Sequence, residues 1–224
     1  MLPRRAGARL IGLLGLLLFN TLPLFSQAEL VYEQGTVTVR RGNSTLTPDM
    51  GTALEQGDLV STGPAATAVI RLNATTEVKM REQTDFRIEN LGTDTTLNLE
   101  RGGLFSSIVG KLQGRFSVRT GTVVAGVRGT EFFVAYGKTV DKAPDIWLCV
   151  NRGTVAVSVE GSKQEVDVPA GKGINVLAGL KITPPKQYAW TRKLNWNMDP
   201  NAAPVKDTTN LNQAYTDLLN QDYD

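Results

Sequence analysis

The chain contains no histidine and only one cysteine. Without imidazole there are no Ser-His or Cys-His nucleophile pairs, no histidine metal sites and no side chain whose ordinary titration falls near neutrality. With Cys149 alone no intrachain disulfide is possible, so the core must hold itself together. That cysteine sits in Ile146-Trp147-Leu148-Cys149-Val150, apolar at both parities. This predicts a strand buried on both faces and an inert, buried thiol. An excess of one charge is also missing, with 24 basic residues against 22 acidic. No basic stripe is present to displace counterions, so no nucleic-acid partner is expected. Nor is there a Gly-rich phosphate loop or a cluster of ligating side chains, and neither a cofactor nor a metal is expected.

Long apolar runs are absent beyond residue 25. The one that exists follows Arg4, Arg5 and Arg9 and extends from Leu10 to Phe25, interrupted late by Asn20, Thr21 and Pro23. Ser26-Gln27-Ala28 then offers small residues where a signal peptidase needs them, so residues 1–28 are expected to be a signal peptide cleaved after Ala28. A bilayer span needs about 20 continuous apolar residues, and no cysteine follows the run to carry a lipid. Pro3 before Arg4-Arg5 and the Leu-rich run favour general secretion over twin-arginine export. Cleavage removes three basic residues and leaves 196 residues with 21 basic against 22 acidic. The expected product is near neutral, has no membrane span, and resides in the periplasm or is released.

From Leu30 to about Ile182 the pattern has period two. Val37 with Val39, Ile70 with Leu72, Val78 with Met80, Phe86 with Ile88, Leu97 with Leu99, Phe116 with Val118, Phe132 with Val134, Val155 with Val157 and Val159, and Val166 with Val168 alternate with polar neighbours. Glycine turns are read at Gly42-Asn43, Gly57-Asp58, Gly63-Pro64, Gly102-Gly103, Gly114, Gly137, Gly161-Ser162 and Gly171-Lys172-Gly173. Many short strands predict an all-β sandwich, barrel or solenoid. Gly35-Thr36-Val37-Thr38-Val39 followed by Leu54 to Val60 is echoed by Gly153-Thr154-Val155-Ala156-Val157 followed by Val166 to Leu177. The echo favours a β-solenoid-like or rolled sandwich built from repeated strand units.

Three segments resemble the FecR domain, an all-β module of bacterial envelope proteins. They are Leu54-Glu55-Gln56-Gly57-Asp58-Leu59-Val60-Ser61-Thr62-Gly63-Pro64 with the strands after it, Thr120 to Val134 containing Gly126-Val127-Arg128-Gly129-Thr130-Glu131-Phe132, and Val155 to Val159 with Val168-Pro169-Ala170-Gly171. The resemblance covers roughly residues 34 to 180 and implies sensing or protein contact in the envelope. In the ferric-citrate regulators that carry this domain, a membrane span and a cytoplasmic segment acting on a sigma factor precede it. This chain is expected to lack both and to need another protein for any signal.

Within the second segment, Arg128 and Glu131 flank a turn at Gly129 and stand close enough for an ion pair. They are either a partner contact or a structural clasp, and exposed pairs of this kind contribute at most about 1 kcal/mol. Residues 183–224 form an expected C-terminal extension. Tyr188, Trp190 and Trp196 lie there, to stack on a sugar or protein partner if exposed or to fasten the extension if packed. Leu211, Ala214, Tyr215, Leu218 and Leu219 predict a short amphipathic helix. The pairs Asp85 with Glu89 and Asp141 with Asp145 are the only carboxylates placed to suggest glycoside chemistry, and solvated faces explain them better. The expected protein is therefore non-catalytic: an exported binding or sensing module of residues 29–182 that contacts an envelope protein or a cell-wall glycan. The alternative is a structural or assembly component. No oligomeric state follows from the pattern.

Overall fold

The computed structural model describes residues 28–110, 114–127, 129–140 and 143–211. The signal peptide expected at 1–28 lies outside them except for Ala28. So does the amphipathic helix, except for Leu211.

Among the described residues, alternating side chains produce seventeen strands in two layers. The first half comprises β1 (Ala28–Gln34), β2 (Val37–Arg41), β3 (Ser44–Leu46), β4 (Ala53–Leu54), β5 (Leu59–Thr62), β6 (Thr67–Asn73), β7 (Thr76–Met80) and β8 (Asp85–Asn90). The long β9 (Thr95–Ile108) follows, then β10 (Phe116–Thr120), β11 (Val123–Val127), β12 (Glu131–Val140), β13 (Ala143–Arg152), β14 (Thr154–Val159), β15 (Glu165–Pro169), β16 (Gly173–Leu177) and β17 (Lys181–Ile182). Sheet A runs β4-β1-β6-β7-β9-β12-β13-β16-β17. Sheet B runs β3-β2-β5-β8-β9-β10-β11-β14-β15. Among the described strands all the pairings are antiparallel except β9 with β10. The layers close over one core, with Leu30, Ile70, Met80, Phe132 and Leu148 from sheet A meeting Val39, Phe86, Leu97, Phe116 and Val157 from sheet B. The fold is all-β, a rolled sandwich of short strands.

The internal echo corresponds to a structural repeat. In each half a sheet A strand turns through a glycine into a sheet B hairpin and returns to sheet A, as β1-β2-β3-β4 and as β13-β14-β15-β16. The return is fastened alike in both, with Leu30 and Val150 each exchanging backbone hydrogen bonds with a turn that contains Gly51 or Gly171. The corner glycines, Gly35 and Gly153, both have φ +81°, a backbone that disfavours any residue with a Cβ.

Two glycine positions read as chain reversals are something else. Gly102-Gly103 lies inside β9, which pairs in sheet B as far as Arg101 and in sheet A from Gly102 onward. The chain bends from one layer into the other there without reversing. A Cβ on Gly102 would overlap Thr84, and one on Gly103 would press on Phe133 and Arg81, so close packing explains both glycines. Gly137 is likewise within a strand, at the register shift of β12 between Tyr136 and Lys138, and its φ of +103° marks a bulge.

A second, smaller core lies on the outer face of sheet A. Val69, Phe105, Phe133, Ala135, Trp147 and Cys149 point away from the main core and are covered by Tyr188, Leu194, Met198 and Val205. This explains the doubly apolar strand: Ile146, Leu148 and Val150 of β13 enter the main core, while Trp147 and Cys149 enter the second. Among the described residues no helix is long and apolar enough to cross a membrane.

Candidate functional site

The register of sheet A lines up Tyr32, Val69, Lys79, Phe105, Phe133, Cys149 and Gly173 across its outer face. The neighbouring row is charged, reading Glu29, Arg71, Glu77, Ser107, Glu131 and Arg152. Arg71 pairs with Glu29 at 2.8 Å and Glu77 at 3.1 Å. An apolar row exposed on a sheet needs a cover, and the segment from Thr183 to Leu211 supplies one. From Thr183 to Asn210 its regular structure is a β-bridge between Lys186 and Gly173 and the 3-10 turn Ala189–Arg192. It is otherwise stitched by its own amides. Asn195 Nδ2 donates to Pro204 O and Lys206 O, and Asn197 Nδ2 donates to Asp199 O and Ala203 O. We refer to this segment as the strap.

Two cations of sheet A hold the strap. Lys79 interrupts the apolar row and is fully buried. Its Nζ donates to the carbonyls of Asn195 (2.5 Å), Asn197 (2.7 Å) and Val205 (3.1 Å) and stands 4.3 Å from the centre of the Phe105 ring. Burial pushes its ammonium down to about 8, opposed by Asp207 and Glu131 and reinforced by Arg81. Arg81 binds Asp207 Oδ2 through Nε at 3.1 Å and donates from Nη2 to Thr209 O at 2.7 Å. Asp207 Oδ1 in turn accepts from Asn195 N and Thr209 Oγ1, both at 2.9 Å. The aromatic part of the contact sets Trp196 edge-on to Phe105, with ring centres 5.3 Å apart.

A cavity of about 660 Å³ lies between strap residues 206–211 and the bends of β9 and β12. Arg81, Glu82, Arg101, Tyr136, Asp145 and Trp147 contribute to its wall. Mixed cationic, acidic and aromatic walls suit a polar ligand with a flat or apolar face, such as a sugar or an extended peptide. Part of this wall is already engaged. Arg101 pairs with Asp85 at 2.8 Å, and Asp145 accepts from Ala178 N at 2.8 Å and Asn175 Nδ2 at 3.2 Å.

The residues singled out in the sequence fall in different places. Arg128 lies outside the described residues. Glu131 is half-buried in the charged row of sheet A and accepts from Asn151 Nδ2. Tyr188 is 2% exposed and Trp196 packs on the second core, so both fasten the strap. The Trp190 side chain lies outside the described atoms. Asp85 and Glu89 each have a cation, Glu89 facing Arg119 at 3.7 Å, and Asp141 lies outside the described residues. Lys79, Arg81 and Asp207 join the site without a motif of their own: Lys79 and Arg81 are polar neighbours of Val78 and Met80 in an alternating strand, and the signal that their face is covered is the apolar Val69, Phe105 and Phe133 on it.

A family model described as FecR protein matches residues 58–156. The match begins at Asp58 and takes in all of the segment around Gly129. No curated protein matches the sequence. Two crystal structures of candidate anti-sigma factors from Parabacteroides distasonis ATCC 8503 are similar. One is 18% identical with TM-score 0.50 over 68% of this chain and 82% of that one. The other is 20% identical with TM-score 0.48 over 58% of this chain, which spans 59% of its length. At such identities the former speaks for the fold alone.

Proposed function

With residues 58–156 forming a FecR domain, we propose that this protein is an exported, non-catalytic sensing and binding module of the bacterial cell envelope, acting through contact with a protein or a cell-wall glycan. The FecR match carries the reading, because that family is regulatory and envelope-associated. The cavity beside the strap offers the place for contact, with Arg101 exposed at its rim. Of the carboxylates that suggested glycoside chemistry, Asp85 and Glu89 serve as partners to arginines.

The test is retention of envelope proteins and of defined cell-wall glycan fragments on the immobilised chain, beside an Arg101→Glu variant. Retention that the variant loses supports the reading. Capture of neither class, or equal capture by both chains, overturns it.

A structural role is the second reading, favoured by the open edges of sheet B. Among the described residues, β3 and β15 each pair on one side only. Light scattering decides it: concentration-dependent growth supports assembly through these edges, and a strictly monomeric chain removes it.

A further inference from the structure

Residues 206–211, which form one wall of the cavity, lead directly into residues 212–224. Leu211 is helical, lines the cavity and packs on the second core. In a helix that continues from it, Ala214, Tyr215, Leu218 and Leu219 share its face and turn toward the same cavity and core. Ala135 and Trp147 give the cavity an apolar part to receive them. The charges match as well. Residues 212–224 carry Asp217, Asp222 and Asp224 and no basic residue, whereas residues 183–206 carry Lys186, Arg192, Lys193 and Lys206 against Asp199 alone. Lys206 lies in the cavity wall, and the carbonyl of the exposed Lys193 accepts from Thr209 of that wall at 3.0 Å. Neither ammonium has an ionic partner among the described residues. The carboxylates of the wall are each held: Asp207 by Arg81, Asp145 by Ala178 N and Asn175 Nδ2, and Glu82 by Ala65 N.

We propose that residues 212–224 fold back on the cavity as an amphipathic helix, with their apolar stripe toward Ala135 and Trp147 and their aspartates toward Lys193 and Lys206, and guard the cavity until a partner displaces them. The docking stands on the placement of Leu211, the stripe and the charges; the guarding rests on the reading above that the cavity is the place of contact. A helix this short is marginal in water by itself, so it holds only where its apolar face is covered. Ion pairs at an exposed rim add little strength, and here they choose which segment is covered. An occupant on the same chain is always at hand, at an effective concentration in the millimolar range for a short link. The partner able to take its place is an acidic protein segment with apolar residues at helical spacing.

Hydrogen exchange on the full chain tests the docking without any partner. The amides of Tyr215, Leu218 and Leu219 are expected to exchange at least about tenfold more slowly than in an unstructured chain. Leu218→Asp, and separately Lys193→Glu with Lys206→Glu, are expected to remove most of that protection while Val118 in β10 keeps its own. Unprotected amides in the native chain, or protection that both variants keep, overturn the docking and leave the reading of the cavity as it was. A synthetic peptide of residues 211–224 tests the guarding. It is expected to bind the full-length Leu218→Asp chain, whose cavity is open, at least about tenfold more tightly than the native chain, whose cavity is taken. Adding Lys193→Glu and Lys206→Glu to Leu218→Asp is expected to weaken it again. Equal binding to the native and Leu218→Asp chains overturns the guarding. A failure of the reading of the cavity shows separately, as envelope material held equally by the native and Arg101→Glu chains.

Discussion

At the residue scale, two of the charged clusters, those around Asp58 and Lys79, are built by different means. Asp58 is fully buried and grips Arg41 with both oxygens, at 2.8 and 2.7 Å, while also accepting from Glu55 N at 2.9 Å. Arg41 extends to Glu55 and Ala53 O, so one guanidinium ties β2 to the turn before β5. Asp58→Ala leaves that guanidinium without its buried partner. Because Arg41 remains about one-third exposed, the loss is expected near the low end for a broken buried pair, about 2 kcal/mol in denaturant unfolding, and less for Asp58→Asn. Gly57-Asp58 was legible in the sequence as a turn. The partner of Asp58 was not, since Arg41 lies 17 residues away and only the register of β2 with β5 brings it near. Lys79 was illegible for a related reason: the carbonyls it binds belong to residues more than a hundred positions later.

At the element scale, parity alone placed most strands correctly, because each buries one face against the same core and a residue's side of the sheet follows from counting by two. The glycines were harder. Gly153 and Gly161 both have positive φ, yet a Cβ on Gly153 would lie 2.7 Å from Thr130 Cγ2 and 2.9 Å from Gly129 O, whereas one on Gly161 meets nothing within 4 Å. Gly153→Ala is therefore expected to lower stability by about 2 to 3 kcal/mol and Gly161→Ala by about 1 kcal/mol, a contrast that thermal or denaturant melts of the two variants would reveal. An equal loss would show that φ alone matters at these corners. The strap as an element is expected to respond to Asp207→Asn, which weakens its hold on Arg81. Cys149 labelling at pH 7 should quicken several-fold while the global unfolding midpoint moves by a smaller proportion, since the main core is not touched. No period announced the strap, because its order comes from asparagine and aspartate side chains bonding to nearby backbone.

At the scale of the whole molecule, both halves contribute to one core and share β9, so neither half has a complete interior of its own. Circular dichroism and tryptophan fluorescence are expected to report one coincident denaturant transition for the sheets; two separated transitions would mean that the halves fold independently. The sequence suggested the repeat that relates the halves but not the strand that joins them, because Gly102-Gly103 carries the same letters as a turn while serving as a bend. That bend gives the molecule a mechanical character. Among the described strands β9 alone belongs to both layers, gripped by β8 and β10 in sheet B and by β7 and β12 in sheet A. A pull along β9 loads all four ladders in shear, with many hydrogen bonds resisting at once instead of opening one by one. The protein is strongest along the direction in which its two faces are joined, a tie beam on whose outer side the strap is carried as an added layer and not as part of the frame.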